Sequence, residues 1–111
     1  MKFRKFDIWT ADLNPQLGTE PGKIRPVVII QTDLLNNTHP STIICPLTTN
    51  LIEAADILRV HLKKGQIEKK SDVLIDQIRA IDNRRFLKKI GRLNTKQQEK
   101  VKDNIRIVLD L

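Results

Sequence analysis

The sequence predicts a mainly β domain, a small antiparallel barrel or sandwich with one helix packed against it. Between residues 7 and 93, short apolar segments rich in β-branched residues alternate with turn-forming residues, which indicates five to seven strands. Near the C-terminus, Val101, Ile105 and Val108 recur at helical spacing and indicate one amphipathic helix. A length of 111 residues is that of one domain, so we expect residues 1–111 to form a single one.

The first part of the chain predicts two strands joined by a long connection. Residues 7–13 alternate, and their apolar face would carry Trp9, Ala11 and Leu13. Residues 14–23 hold two prolines and two glycines, which predicts a loop of about ten residues, and loops of this length in compact domains often serve a function. Residues 27–30 are all β-branched, so they predict a central strand buried on both faces, with Pro26 at its entry.

The rest of the sheet follows a second connection at residues 34–41. Its strands are predicted at residues 42–47, 57–62, 73–75, 78–81 and 90–93. In the second of these, Leu58, Val60 and Leu62 would share the apolar face. The third and fourth are a strand pair or one bent strand, interrupted at Asp76-Gln77, and the last is a short edge strand or connector.

The helix has a predicted start and a predicted face. The segment Thr95-Lys96-Gln97-Gln98 fits a capping box, in which a threonine hydroxyl and a glutamine three residues later satisfy each other's backbone amides. Beyond it, the stripe of Val101, Ile105 and Val108 is extended by Leu109. We expect this face to pack on the sheet.

The positive charge of the chain is concentrated in its second half. Twenty basic and 13 acidic residues give a formal net charge of +7, and residues 56–111 hold 15 of the basic and eight of the acidic ones. A sequence pI near 9.9 indicates a polyanionic partner, most often a nucleic acid. The alternative is a solvated lysine surface that keeps the protein soluble. With three phenylalanines, one tryptophan and no tyrosine, a stacking platform of several aromatic rings is excluded.

Several classes of protein are excluded or disfavoured by composition. Cys45 is the only cysteine, which excludes an intrachain disulfide and a cysteine-rich metal site. No apolar run approaches the roughly 20 residues of a membrane-spanning helix. The basic first residues have no apolar segment behind them, so no signal peptide is predicted and the cytoplasm is the default compartment.

A set of short motifs resembles one known family. The motifs are Asp7-Ile8-Trp9, Asp12-Leu13-Asn14-Pro15, Gly18-Thr19-Glu20, Arg25-Pro26-Val27-Val28, Pro46-Leu47-Thr48, Asp76-Gln77-Ile78-Arg79 and Ile90-Gly91-Arg92-Leu93. They occur in the order and at the spacing of MazF/PemK-type toxins, which are small endoribonucleases of bacterial type II toxin–antitoxin pairs. Each motif is weak alone, but together they extend the resemblance from residue 6 to the C-terminus.

The resemblance implies a fold, an activity and partners. The fold is an SH3-like antiparallel β-barrel with a C-terminal α-helix, of the type found in CcdB, Kid and MazF, and it works as a homodimer. The activity is metal-independent, sequence-specific cleavage of single-stranded RNA that leaves 2′,3′-cyclic phosphate and 5′-OH ends, with no cofactor. The partners are the RNA and a cognate antitoxin whose disordered acidic tail covers the groove. The alternative is a non-catalytic barrel, such as a CcdB-like gyrase inhibitor or a nucleic-acid adaptor.

The resemblance also implies catalytic residues. It makes Arg25 the catalytic arginine and Thr48 its partner in catalysis. A guanidinium suits this reaction because its fork matches two phosphoryl oxygens and its charge does not titrate away. Glu20 is either the general base or a partner that orients Arg25. Without the resemblance, Arg25 would be a surface arginine paired with Glu20, and Thr48 would belong to a Thr-Thr-Asn turn.

A wider set of residues is assigned to RNA binding: Thr19, Lys23, Lys69, Lys70, Asp76, Gln77 and Arg79. The alternative for Asp76 is an ion pair with Arg79 within a turn. A histidine pair, one acting as base and one as acid, is another way to cleave RNA without metal. His39 and His61 match no catalytic position of the family, so we interpret both as structural or surface residues. Cys45 is interpreted as a small buried hydrophobe, and no metal-ligand spacing is present.

Overall fold

The computed structural model describes residues 2–15, 18–19, 23–63 and 67–111. In these residues it contains seven strands and one α-helix: β1 (Asp7–Asp12), β2 (Ile24–Ile29), β3 (Ser41–Thr48), β4 (Arg59–Leu62), β5 (Ser71–Leu74), β6 (Arg79–Asp82), β7 (Phe86–Arg92) and α1 (Thr95–Leu109). Two 3₁₀ turns, at Ile75–Gln77 and Asn83–Arg85, flank β6. The predicted mainly β architecture with a C-terminal helix is confirmed.

All strand pairings in the sheet are antiparallel, and its order is β4-β5-β3-β2-β1-β7. Strand β6 lies off this path and also pairs with β3. Residues 47–48 of β3 pair with β5, whereas residues 41–44 of β3 pair with β6. The segment interrupted at Asp76-Gln77 is therefore a bent run whose two halves contact the two ends of one neighbouring strand.

The sheet has apolar clusters on both of its faces. One cluster contains Val28, Cys45 and Leu47, together with Val101 from α1. The other contains Val27, Ile29 and Ile44 with the rings of Phe3, Trp9 and Phe86. Because consecutive residues of β2 belong to opposite clusters, this strand is buried on both faces, as its β-branched run predicts.

The N-cap of helix α1 lies one residue before the predicted cap. The capping box is formed by Asn94 and Gln97: Gln97 N donates to Asn94 Oδ1 at 2.9 Å, and Asn94 N donates to Gln97 Oε1 at 2.9 Å. Thr95 is instead the first helical residue, because asparagine caps at least as well as threonine. Val101 is buried and Ile105 and Val108 pack beside it, but Leu109 is 46% exposed and does not extend the stripe. No helix in the described residues is long and apolar enough to cross a membrane.

The predicted starts of four strands are wrong by two or more residues, and one of them is β5, which begins at Ser71 rather than at residue 73. Strand β2 begins at Ile24, so Pro26 lies inside it opposite Thr10, although pairing with β3 starts only at Val27. Strand β7 begins at Phe86 rather than at residue 90, because the exposed Lys88 and Lys89 of an edge strand give no apolar signal. Strand β4 begins at Arg59, which leaves Leu58 in the preceding turn, 46% exposed.

Candidate active site

Arg25 and Thr48 lie close together near the ends of neighbouring strands. The pairing of β2 with β3 ends where Val27 lies opposite Pro46. Arg25 and Thr48 lie two residues beyond that pair, each on its own strand, and line the same pocket. Both residues are half-buried. They are brought together from positions 23 residues apart in the sequence.

The two residues line one pocket with a volume of about 200 Å³. The pocket is lined by Lys23, Ile24, Arg25, Pro26, Leu47, Thr48, Thr49 and Ser71. It thus places two cationic side chains and three hydroxyls around an apolar floor of proline and leucine. Such a set suits a phosphate group, because a guanidinium binds two of its oxygens and hydroxyls donate to the others.

Backbone contacts fix the base of the loop that precedes Arg25. Leu13 N donates to Lys23 O at 2.8 Å, and Lys23 N donates to Asn14 Oδ1 at 2.8 Å. From the other side of the loop, Arg85 Nη1 donates to the carbonyl oxygens of Asp12, at 2.9 Å, and Asn14. The sequence does not single out Arg85, since only the pairing of β1 with β7 brings it to this loop.

The hydroxyl of Thr48 makes one local contact. Asn50 N donates to Thr48 Oγ1 at 3.1 Å, so the turn contact expected for a Thr-Thr-Asn segment is present. This contact is compatible with catalysis, because a hydroxyl oxygen that accepts one hydrogen bond still has its own proton to donate. The bond restricts the direction in which that proton points.

A buried carboxylate lies beside Thr48 in the sheet. Asp72 is the cross-strand partner of Thr48 and also of His61, and it is only 1% exposed. Its Oδ2 accepts hydrogen bonds from Arg59 Nη1 and Ile52 N, each at 3.1 Å, and its Oδ1 lies 2.6 Å from His61 Nδ1. Burial raises the pKa of Asp72, but the hydrogen bonds from His61, Ile52 and Arg59 outweigh burial and leave that pKa below its ordinary value.

The two histidines and the cysteine lie outside the Arg25 pocket. His61 Nδ1 is bonded to Asp72, which raises the pKa of His61, and its Nε2 lies 3.6 Å from Asp56 Oδ1. His39 is exposed, and its carbonyl oxygen accepts from Asn83 Nδ2 at 2.8 Å. Neither histidine lines the Arg25 pocket. Cys45 is fully buried, and burial raises the pKa of its thiol to about 12.

The lysines assigned to RNA binding are close to the pocket. Lys69 and Lys70 are exposed and directly precede Ser71, which lines it. Ser71 Oγ donates to Lys69 O at 3.0 Å, which fixes this approach to β5. Lys23 lines the pocket itself. These three cations therefore extend the positive charge of Arg25 outward.

The remaining assigned residues lie elsewhere or outside the described chain. Asp76 and Gln77 belong to the 3₁₀ turn before β6, and Arg79 begins that strand; none of the three lines the pocket. Thr19 is exposed in the loop before β2, and it does not line the pocket either. Glu20 lies outside the residues that the structure describes, so its two interpretations stay predictions. No cluster of three or more potential metal ligands occurs in the described residues.

The family of the chain follows from its sequence. A profile described as "PemK-like, MazF-like toxin of type II toxin-antitoxin system" matches residues 4–109. The chain belongs to this family. Among its relatives is the protein named Endoribonuclease MazF of Staphylococcus saprophyticus, which is 37% identical over 110 residues, covering 97% of this chain and 92% of that protein.

Solved structures of this PemK/MazF-family fold superpose closely on the chain. MazF from Deinococcus radiodurans has a TM-score of 0.88 at 20% identity, with 100% of this chain and 99% of the other covered. An endoribonuclease from a mycobacterial species, in complex with its cognate antitoxin, has a TM-score of 0.79 at 15% identity, with coverage of 96% and 94%. At these identities the two structures support the fold alone.

Proposed function

We propose that the chain is a metal-independent endoribonuclease that cleaves single-stranded RNA in the pocket of Arg25 and Thr48. The observation that carries the proposal is that these two side chains, from different strands, line one pocket together with Lys23. The name of the 37% identical staphylococcal relative, an endoribonuclease, supports the same activity. A barrel that only bound a partner would have no need of a guanidinium and hydroxyls gathered around one pocket.

The proposed reaction is an internal attack by ribose. The 2′-oxygen forms a bond to phosphorus as it loses its proton, and the bond from phosphorus to the 5′-oxygen breaks as that oxygen gains one. The products carry a 2′,3′-cyclic phosphate and a 5′-OH. Arg25 would neutralise the charge that builds up on the phosphoryl oxygens, and Thr48 would donate a hydrogen bond from its hydroxyl to one of them. Glu20 is the group that the family resemblance offers for the proton of the 2′-OH.

The proposal includes two protein partners. The first is a cognate antitoxin, supported by the mycobacterial complex of similar fold. The second is another copy of the chain. Apolar side chains of β3, the β5–β6 turn and α1 line an open cavity of about 390 Å³, and Leu111 at its edge is 85% exposed. Light scattering at micromolar concentration should report twice the mass of the chain, and a clean monomer that still cleaves RNA would exclude a groove shared between two copies.

The activity is tested with purified protein and a long single-stranded RNA of mixed sequence in the presence of EDTA. We expect cleavage that leaves cyclic phosphate and 5′-OH ends, and no cleavage by Arg25→Ala at the same concentration. His39→Ala is the matched control, because His39 is exposed and lies outside the pocket. Intact RNA after incubation with the folded wild-type protein, or cleavage that requires a divalent metal, would overturn the proposal.

A further inference from the structure

We propose that Asp72 is a positioning residue for Thr48. Its buried carboxylate, acting with Arg59, holds the turn whose amide contacts the Thr48 hydroxyl. The inference rests on the proposed function, since it gives the network a purpose only if Thr48 acts on the RNA phosphate. Asp72 and Arg59, two charged residues outside the pocket, would then take part in the reaction through Thr48.

The first link in the network is the anchor. Asp72 lies in β5 between β3 and β4, with its carboxylate 1% exposed. His61 on β4 contacts one carboxylate oxygen at 2.6 Å, and Arg59 on the same strand contacts the other at 3.1 Å. A carboxylate with both oxygens bonded in this way has one orientation, because turning it would break hydrogen bonds to cationic side chains.

The second link connects the anchor to the turn after β3. Ile52 N donates to Asp72 Oδ2 at 3.1 Å. The Arg59 Nη1 atom that contacts the same carboxylate oxygen also donates to Asn50 O, at 2.6 Å. The carboxylate and the guanidinium therefore hold both ends of residues 50–52, a segment whose side chains are exposed and would otherwise leave it free to move.

The third link reaches the hydroxyl. Asn50 is fixed through its carbonyl oxygen by Arg59, and its amide donates to Thr48 Oγ1 at 3.1 Å. This amide occupies one lone pair of the hydroxyl oxygen and so limits where the hydroxyl proton points. Preorganised donors are effective in catalysis because they need no reorientation when charge develops. Loss of the anchor should therefore slow the reaction rather than weaken binding of RNA.

The chain offers a matched control for this inference in Asp7. It too is a carboxylate with 1% exposure that contacts an arginine, Arg92, at 3.0 Å. Its partners lie on β7, and it lines no part of the Arg25 pocket. Asp7→Asn thus removes a buried charge of the same kind without touching the turn of residues 50–52.

The test measures single-turnover cleavage with enzyme in excess, together with the dissociation constant for the RNA. We expect Asp72→Asn to slow cleavage on the order of 10-fold with unchanged RNA affinity, because a small displacement of a catalytic group is enough for that loss. Thr48→Ala should slow it about 100-fold. The double variant should be no slower than Thr48→Ala alone, because Asp72 acts through the hydroxyl that is already gone. Asp7→Asn should cleave at the wild-type rate.

Arg59→Lys provides a second, independent variant in case Asp72→Asn fails to fold. An ammonium cannot contact both Asp72 Oδ2 and Asn50 O with the geometry of a guanidinium, so this variant should slow cleavage and increase amide hydrogen exchange at Asn50.

The outcomes separate the two proposals. If Asp72→Asn or Arg59→Lys is folded and cleaves at the wild-type rate, or if Asp72→Asn adds its full loss to that of Thr48→Ala, the positioning role is wrong while the role of Thr48 stands. If Thr48→Ala itself cleaves normally, the proposed function loses Thr48, whatever the Asp72 variants do.

Discussion

Two buried carboxylates mark opposite regions of this small sheet, and they differ in where their contacts lead. Asp7 and Asp72 have the same exposure of 1%, and each contacts an arginine at 3.0–3.1 Å. Among the described residues, the side-chain contacts of Asp7 are with Arg92 and Lys89 of β7, and they tie an edge strand to its neighbour. The contacts of Asp72 continue through Ile52 and Asn50 into the turn after Thr48.

Burial and charge pairing do not by themselves indicate a functional group. Buried ion pairs are weak indicators of stability and equally weak indicators of function, since structural networks also hold carboxylates away from water. What separates the two regions is the next bond outward. At Asp72 that bond leads into a turn beside a pocket, and at Asp7 it leads through Arg92 to the carbonyl oxygen of Lys5.

The largest difference is expected between Arg25, in the pocket beside the Asp72 network, and Arg92, the partner of Asp7. Arg25→Ala should reduce cleavage by at least roughly 10²–10³-fold, because it removes a fixed donor aimed at the developing charge. Arg25→Lys should recover only part of this loss, since an ammonium cannot bind two oxygens in one plane. Arg92→Ala should leave the cleavage rate unchanged in the folded fraction, because Arg92 does not line the pocket and it contacts Asp7 and Lys5 O on β1 and just before it. Circular dichroism checks that each variant is folded. Equal losses of activity in Arg25→Ala and Arg92→Ala would show that Arg25 has no specific part in cleavage.

The second difference concerns stability at the Asp7 end. Asp7→Asn should lower the free energy of unfolding by about 1.5–3 kcal/mol, the range for hydrogen bonds to a charged group. The loss is limited because the Arg92 side chain is about one-third exposed and water can solvate it. Urea denaturation measures the change. An unchanged midpoint would show that this network adds no stability.

Much of the fold could be predicted from the sequence, but the hydrogen-bond networks of Asp7 and Asp72 could not. Strand β2 has a local signature, since four consecutive β-branched residues fit only a strand buried on both faces. Strand β7 has none, because Lys88 and Lys89 interrupt its apolar residues and only Phe86 among these is buried. The cap of helix α1 lies one residue before the predicted one, because Asn94 and Thr95 are both good caps and only the hydrogen bonds choose between them.

The candidate site shows the same limit. Strand ends could be located, and the family resemblance points to Arg25 and Thr48, but their closeness in one pocket depends on the pairing of β2 with β3. Asp72 is not among the predicted residues, although a carboxylate within the strand sequence Ser71-Asp72-Val73-Leu74 is a signal of a buried partner. That partner, Arg59, is 13 residues away, and nothing in the sequence sets the pairing of β4 with β5.

A third difference is electrostatic: the lysines beside the pocket should bind RNA, and those on α1 should not. Reversing Lys69 and Lys70 to glutamate should weaken RNA binding across many sequences. It should also reduce the dependence of affinity on salt, by roughly 0.7 in slope for each phosphate of a single strand that the protein no longer neutralises. Reversing Lys96 and Lys100 on α1 is the matched control, since they line a different cavity. Binding titrations at several salt concentrations distinguish the two pairs of lysines. Identical effects of the two reversals would mean that RNA binding depends on the net charge of the protein and not on the position of these lysines.

The smallest expected effect is the pH dependence of stability at His61. Its contact with Asp72 raises the pKa of His61, so protonated His61 stabilises the fold below the unfolded value of about 6.5, and this stabilisation is lost as pH rises through the folded pKa. The difference in unfolding free energy between wild type and His61→Gln should be larger at about pH 5.5 than at about pH 8.5. It should stay below about 1 kcal/mol because the His61 side chain is 42% exposed. A difference that grows with pH would contradict this sign.

The most direct test of the account is a double-mutant cycle between the two residues that define the pocket. Single-turnover cleavage in EDTA is measured for wild type, Arg25→Lys, Thr48→Ala and the double variant. If both side chains act on the same phosphate, each single variant is slow and the double variant is faster than the product of the two losses predicts. Losses that multiply independently would place Arg25 and Thr48 at separate tasks, and wild-type rates in either single variant would contradict a shared catalytic site.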